Sequence, residues 1–502
     1  MRPLGQGLMQ PPSSISSLTW LVFAALLLPF SNGENTIPVA TWLAPIFLLR
    51  FVRMQKVTVA LPLVYLLHVL PNLYQFHGAV QLVGIAYYFF LALMGIPLSL
   101  PYVVDRLVKP RLQGFVTTLV FPTTWVVVDY FLSKGPYASN GSIAYSQYGN
   151  LPLLQMLSLT GIWGITFLIG WVAAVGNWVW EEGLNAKSTR LGTGFCVMTL
   201  VLVTFLGGAR MALFPPSASS VRIASLSQTE IQPTPTEEIW ARVFENKSSV
   251  AEVESIRRWE AAVNADLLAR SEREAQAGAK IVFWAEETAP VLKEDEASLV
   301  ERGAALAAKY QIYLGMALAT LNRGQALPLE NKIVLIQPSG QVAWEYYKAH
   351  PVPEDAAISL TKDDKLRSLD TPYGRLSSVI CFDADFPQFV AQAGKIRTDI
   401  LLDPSLDWRA IDPMHTYTAS FRAIEQGLNL VRQTDHGLSA AFDYQGRPLA
   451  SADHFQTVDH VMISQVPTQG VRTVYSRLGD WFAWVSLAAL LLLCRQSFRP
   501  RI

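Results

Sequence analysis

Charge is scarce in this chain. Of its 502 residues, 16% are Asp, Glu, Lys or Arg, against the ~25% usual for soluble proteins. Neither sign is in excess, since 40 basic and 40 acidic residues leave a formal net charge of zero. That balance argues against a nucleic-acid partner, and an apolar content of 51% excludes a disordered chain. Cysteine is scarcer still. Three are too few for a disulfide scaffold. Cys196 and Cys494 lie in apolar runs and read as small buried hydrophobes. The seven histidines show no zinc-type spacing with cysteine, so neither a metal nor a cofactor is expected.

The charge that is present is unevenly distributed. Residues 1–214 carry 16 charged side chains and the remaining 288 carry 64. One part of the chain avoids charge and the other has an ordinary soluble composition, so a single water-soluble globule is excluded. A helix needs ~20 mostly apolar residues to cross a bilayer. Apolar runs at about 17–32, 38–52, 57–75, 80–104, 113–133, 154–180, 192–213 and 478–494 predict eight spans. The first run follows Arg2 and ends at Ser31-Asn32-Gly33, which also suits a signal peptide, but the charge pattern requires it as a span.

Lys and Arg in short loops set orientation. With the N-terminus cytoplasmic, that side holds Arg2, Arg50, Arg53, Lys56, Arg106, Lys109, Arg111, Lys187, Arg190, Arg495, Arg499 and Arg501. The opposite side holds Lys134 and Arg210. Both termini are therefore expected in the cytoplasm, with the region between the seventh and eighth spans on the outer face. Tyr74, Phe76, Tyr145, Tyr148, Tyr475 and Trp481 lie near the outer span ends and read as interfacial or core aromatics.

The expected domains are 1–214 with seven spans, 215–476 as a soluble α/β unit, and 477–502 as the eighth span and tail. Pro215-Pro216-Ser217 reads as the linker. Strands are predicted near 221–226, 280–284, 311–316, 332–337, 342–347, 376–381, 399–402, 429–433 and 438–443. Helices are predicted near 237–278, 297–309 and 413–427. Strands that alternate with helices and then form hairpins point to a layered α/β sandwich.

Three places put a reactive side chain at the end of an apolar strand, where a loop can expose it. In Trp284-Ala285-Glu286-Glu287 two carboxylates close a strand, with Glu286 the preferred inward residue and Glu287 the alternative. In Tyr346-Tyr347-Lys348-Ala349-His350-Pro351-Val352-Pro353-Glu354 a lysine precedes two stiffening prolines. In Val379-Ile380-Cys381-Phe382-Asp383 a cysteine ends a strand, with an acid following. Each alone has a plain structural reading: a solvated turn, a surface lysine, a buried thiol. Together they form a set. A cation favours the nucleophilic thiolate, a carboxylate can carry its proton, and an ammonium with a peptide N–H can hold an oxyanion.

The order Glu286…Lys348…Cys381, in these contexts, resembles the nitrilase (carbon–nitrogen hydrolase) superfamily. The resemblance extends to Ser227-Gln228, to Arg422-Ala423-Ile424-Glu425-Gln426-Gly427 and to Arg432-Gln433-Thr434-Asp435-His436-Gly437. Seven spans, such a domain and one closing span resemble, more specifically, the bacterial apolipoprotein N-acyltransferases. Phe121-Pro122-Thr123-Thr124-Trp125, Asp129, Tyr145-Ser146-Gln147, Gln155 and Gly161 match the membrane half of that pattern. Departures cluster in the site loops. Ala285 replaces the usual Pro of Trp-Pro-Glu, Glu354 follows Val352-Pro353 with no Phe-Gly between, Asp383 replaces Glu, and Ser405-Leu406-Asp407 replaces Ser-Asn-Asp near Trp408.

The resemblance implies an α-β-β-α sandwich carried by a multi-pass helical domain in a bacterial inner membrane, with the catalytic unit periplasmic. It implies ping-pong acyl transfer from a phospholipid, through a Cys381 thioester, to the N-terminal amine of a diacylglyceryl-cysteine lipoprotein. Glu286 would be the general base and acid. Lys348 and the Phe382 N–H would hold the oxyanion, with Asp383 and Glu354 in support. A different acyl acceptor, an amidase acting on small amides, or a non-enzymatic lipid-binding protein are the competing readings.

Overall fold

The computed structural model describes residues 16–82, 84–362 and 364–499. Arg2 and Arg501, both used in the charge argument, lie outside the described residues. Apolar helices stand at all eight expected places: Ser17–Leu27, Pro38–Met54, Val57–Gln75, Ile85–Val108, Val120–Leu132, Ile162–Glu182, Lys187–Leu213 and Trp481–Ser497. Among the described residues, five stretches are long and apolar enough to cross a membrane: Val57–Gln75, Ile85–Arg111, Gly114–Leu132, Ile162–Glu182 and Lys187–Leu213. The helix Trp481–Ser497 and the segment Ser17–Phe30 are apolar but shorter.

The sixth helix differs from the expected 154–180. It begins at Ile162, after two short turns at Leu151–Leu154 and Leu157–Thr160. The break falls at Gly161, whose backbone takes φ +64°. A left-handed residue ends a helix, and glycine adopts that conformation without a Cβ penalty. Space matters as well, because a Cβ at Gly161 would lie 2.5 Å from the Tyr475 ring.

One end of the helical bundle gathers charge. Arg53 pairs with Asp105 at 2.8 Å, and Lys109 pairs with Glu181. The Arg111 guanidinium sits 4.6 Å from the centre of the Phe498 ring. Glu181 lies near the end of Ile162–Glu182, and the other end of that helix meets the α/β unit: the Ile162 N–H donates to Glu425 at 3.0 Å and the Trp163 indole to Asp480 at 2.8 Å.

The α/β unit has thirteen strands among the described residues: β1 Ser220–Leu226, β2 Ile281–Trp284, β3 Ala289–Leu292, β4 Tyr313–Leu321, β5 Leu329–Ile336, β6 Val342–Tyr347, β7 Ser368–Thr371, β8 Gly374–Ser378, β9 Ile400–Leu406, β10 Asn429–Asp435, β11 Leu438–Phe442, β12 Pro448–Asp453 and β13 Val461–Pro467. One sheet runs β13-β1-β2-β4-β5-β6, with β3 on β4, and the other runs β12-β11-β10-β9-β8-β7. Alternation decides the layers. Val221, Ile223, Ile281 and Phe283 face Leu376, Ile400, Leu402 and Val431 of the other sheet. Ala224, Leu226, Val282 and Trp284 face the helices Val250–Gln276 and Glu296–Tyr310. On the far side, Leu401 and Leu430 pack on Val390, Ala419 and Ala423 of the helices Pro387–Lys395 and Met414–Gln426. The result is the expected α-β-β-α sandwich.

Two local expectations change. The single helix predicted over 237–278 is two, Glu237–Phe244 and Val250–Gln276, because Ser249 and Glu252 form a reciprocal capping box that starts a new helix. Four strands were not predicted, β3, β7, β12 and β13; β13 is a seven-residue, largely apolar run, and the other three gave little sequence signal. β3 has four residues and includes Pro290, and β7 and β12 are largely exposed edge strands with little apolar alternation.

Tyr145 and Tyr475 are buried between the helices and the sandwich rather than at an open surface. Cys196 is buried as expected, while Cys494 is partly exposed on the outer helix. Gly161→Ala is expected to destabilise the protein by roughly 1–3 kcal/mol from backbone strain alone, read as a lower unfolding midpoint in detergent. An unchanged midpoint would show that the turn does not depend on glycine.

Candidate active site

Glu286 lies just beyond β2, where the Ala285 N–H still donates to the Leu226 carbonyl at 2.8 Å. The chain then turns, with Glu287 at φ +55°, and enters β3. This puts the Glu286 carboxylate in the interior, 3% exposed. Its Oε1 accepts from the Lys348 ammonium at 2.6 Å and from the Asn331 amide at 2.7 Å. Its Oε2 accepts from the Leu406 N–H at 2.9 Å. Glu287 is half-buried and accepts from the same Asn331 amide at 2.8 Å. The pair expected as alternatives are therefore both at the site, and Glu286 is the one in contact with Lys348.

Lys348 follows β6, and its N–H donates to the Asn331 carbonyl at 2.9 Å, which extends the strand pairing by one residue. Cys381 follows β8 and opens a helical turn, Cys381–Asp385, at φ +50°. A non-glycine residue there carries strain, and such strain persists only where the surroundings hold it. The Cys381 N–H is held by Asp403 at 2.9 Å and the Ile380 N–H by Asp383 at 3.1 Å. The Cys381 Sγ lies 3.6 Å from the Leu406 carbonyl oxygen, so Leu406 touches the thiol with its carbonyl and Glu286 with its N–H.

Electrostatics follow from burial. Desolvation pushes the Cys381 thiol well above its ordinary pKa, the Glu286 charge adds to this, and Lys348 and Arg432 pull against it. Burial works against the Lys348 ammonium, but Glu286, Cys381 and Glu287 outweigh it and hold its pKa up. Burial, then the neighbouring Glu286 charge, raises Glu287 to about 8. A neutral thiol beside an anchored carboxylate and a fixed cation is an arrangement suited to proton removal followed by nucleophilic attack.

Asp383 is fully buried. It accepts from Tyr346 Oη at 2.6 Å and from the His350 N–H at 2.8 Å, so it fastens the lysine loop to the cysteine loop. Phe382 is buried beside the thiol. Glu354 is exposed, and it is its neighbour Asp355 that feels the charges of Lys348 and Glu286. Behind Cys381 lies a buried network that the sequence reading did not include. Arg432 bonds Asp403 at 2.7 Å and Asp407 at 3.0 Å, and His415 bridges Asp407 at 2.7 Å and Asp385 at 2.8 Å. Asn331 was also missed. Its sequence signal is Glu330-Asn331-Lys332, three polar residues inside a strand that is buried along its whole length.

Residues 247–475 match the carbon–nitrogen hydrolase family model. The sandwich belongs to the carbon–nitrogen hydrolase superfamily. Residues 6–175 match the model for the apolipoprotein N-acyltransferase N-terminal domain. The apolipoprotein N-acyltransferase of Geobacter metallireducens is 26% identical over 434 residues, 80% of this chain and 78% of that one. The one from Rhodopseudomonas palustris is 27% identical over 390 residues, 72% and 69% of the two chains. Among solved structures, an amidase from Nesterenkonia sp. is similar at 17% identity and TM-score 0.37, over 50% of this chain and 92% of that one. The chain belongs to the apolipoprotein N-acyltransferase family, and with its apolar helices it is a multi-pass membrane protein.

Burial works against a charged His415, but the Asp385 and Asp407 carboxylates together outweigh it and the pKa rises from 6.5 to about 9. Because the folded value is the higher, the stabilisation is complete below about pH 6.5 and is lost as pH rises through about 9. His415→Gln is expected to flatten the fall in unfolding midpoint between those limits. Parallel curves for the two proteins would show that His415 does not titrate there.

Proposed function

We propose that the protein is an N-acyltransferase that moves a fatty acyl chain from a membrane phospholipid to the N-terminal amine of a diacylglyceryl-cysteine lipoprotein. The observation that carries this reading is the buried Lys348–Glu286 pair at 2.6 Å beside the Cys381 thiol, in a chain with membrane helices and this family membership.

In the first half-reaction Glu286 removes the thiol proton and Sγ attacks the ester carbonyl carbon. The tetrahedral oxyanion is held by the Lys348 ammonium and the Phe382 N–H. The C–O bond breaks, the proton on Glu286 passes to the departing lysophospholipid oxygen, and a thioester remains. In the second half-reaction the lipoprotein amine attacks that thioester and Glu286 takes the amine proton. The C–S bond breaks and the thiol regains its proton. Desolvation raises the cost of the free thiolate, so Glu286 and Lys348 are both required.

We assign residues 1–214 and 477–502 to the bacterial inner membrane, with both termini cytoplasmic, and residues 215–476 to the periplasmic side. The supporting feature is that Arg53, Lys109 and Arg111 gather at one end of the bundle, while the opposite end of Ile162–Glu182 meets the sandwich. A site on the outer bilayer surface would receive two lipid substrates from the side.

Intact mass after incubation with phosphatidylethanolamine is expected to show one added acyl chain, absent in Cys381→Ala. Glu286→Gln is expected to slow its formation by on the order of 10²–10⁴-fold. A diacylglyceryl-cysteine peptide should then gain the chain on its amine. No adduct with any phospholipid, together with ammonia release from simple amides, would replace this reading with an amidase. A cysteine introduced at Asn185 should react with a membrane-impermeant maleimide only after the cell is opened, and one introduced at Glu237 should react in spheroplasts. The reverse pattern would invert the topology.

A further inference from the structure

Three of the seven histidines converge on one carboxylate, away from Cys381 and Lys348. Asp435 ends β10, His436 follows it at φ +56°, His454 lies in the turn between β12 and β13, and His460 stands just before β13. The ring of His454 stacks on that of His436 at 4.7 Å and on that of His460 at 4.3 Å. The Asp435 Oδ1 lies 3.0 Å from His454 Nδ1 and 3.6 Å from His436 Nδ1. Donor atoms of Asp435, His436 and His454 all lie within 4.8 Å of one another.

Main-chain bonds hold the three segments in place. The His454 N–H donates to the Gly437 carbonyl at 3.1 Å, and the His460 carbonyl accepts from the Ser227 N–H at 2.9 Å. The Nδ1 atom of His454 faces the Asp435 carboxylate, whereas that of His460 is buried and makes no hydrogen bond. An unpaired buried ring nitrogen is costly. Protonation is a poor remedy, since three stacked imidazolium rings would repel one another around a single acid. The nearby Arg270 is already engaged by Asp266 at 2.7 Å and by the carbonyls of Ser227 and Asp459.

We propose that Asp435, His436 and His454 bind a divalent transition-metal ion of the zinc class. Two imidazoles and a carboxylate suit a borderline cation. Ligand atoms of a tetrahedral zinc site stand about 3.3 Å apart, given bonds of about 2.0–2.1 Å. The 3.0 and 3.6 Å separations here bracket that value. Cys381, Asp407 and His415 also approach one another closely, but the Arg432 guanidinium lies 2.8 Å from His415 Nδ1 and 3.0 Å from Asp407 and would repel a cation. The ion would act as a structural clip. The Asp435 carbonyl accepts from the Asp407 N–H at 2.9 Å, and Leu406, next along, donates to Glu286.

The test uses the full-length protein in detergent, stripped with EDTA and titrated with Co²⁺ as a spectroscopic probe. One ion per chain is expected, with visible d–d bands and no sulfur-to-cobalt charge transfer, in the wild type and in Cys381→Ser alike. His436→Ala, at an exposed ring, and His454→Ala are expected to weaken binding by at least ~10-fold. Absence of binding, loss of the bands in Cys381→Ser, or unchanged binding in either histidine variant would overturn the proposal.

Discussion

The buried ion pair between Glu286 and Lys348 is the constraint around which the catalytic sandwich is arranged. A carboxylate and an ammonium removed from water are stable only when every remaining donor and acceptor is matched. Glu286 meets that condition with three partners from three places: Lys348 after β6, Asn331 on β5 and the Leu406 peptide at the end of β9. The first two belong to its own sheet and the third to the opposing one. The carboxylate therefore joins the two sheets at the point where their strands end. Cys381 enters the same point from β8, held in a left-handed conformation by Asp403. Fixing Glu286 also fixes the Leu406 peptide groups that reach it and the thiol.

A second buried pair joins the membrane helices to the sandwich. Arg422 and Glu425 lie one turn apart on Met414–Gln426 and pair at 3.0 Å. Each also reaches into the helical region, Arg422 to Tyr145 Oη at 3.2 Å and Glu425 to the Ile162 N–H. Gln155 does the same lower on that surface, donating to the Gln445 carbonyl at 2.9 Å. These are the residues that matched the family pattern in the sequence. Their chemistry is attachment: a polar, hydrogen-bonded seam that fixes the height of the site against the bundle. Ser139 Oγ donates to the Asp385 carbonyl at 2.6 Å, and the side chain of Asp385 holds His415. The seam thus reaches the network behind the thiol at Asp385.

Much of this was legible because it rests on period and solvent. Apolar runs marked the eight helices, two-residue alternation marked β1, a continuous apolar run marked β2, and strand ends marked Glu286, Lys348 and Cys381. What stayed hidden depends on contacts between distant segments. Arg432 and Asp403 sit at the middle of β10 and β9 and look like strand residues until their sheet is assembled. His436, His454 and His460 span a stretch in which no two share a metal-binding interval, and only the β10–β13 turns bring them together. The break at Gly161 was hidden for another reason. An apolar run has no feature that shows where a helix must yield to a tyrosine ring approaching from a separate chain segment.

The departures from the family pattern can be read from the same geometry. Leu406 stands where a polar side chain is usual, yet the site uses its peptide: the N–H goes to Glu286 and the carbonyl faces the thiol. A side chain that contributes neither bond is free to vary. Ala285 replaces proline and thereby adds an N–H, which donates to Leu226 and lengthens the β1–β2 pairing by one bond. Asp383 is shorter than the usual glutamate, and its two oxygens are fully used by Ile380, His350 and Tyr346 within the loop. In each case the substitution changes how the scaffold holds the reacting groups and leaves the groups themselves in place. The exposed part of the lysine loop, where Glu354 faces outward, takes no part in these bonds.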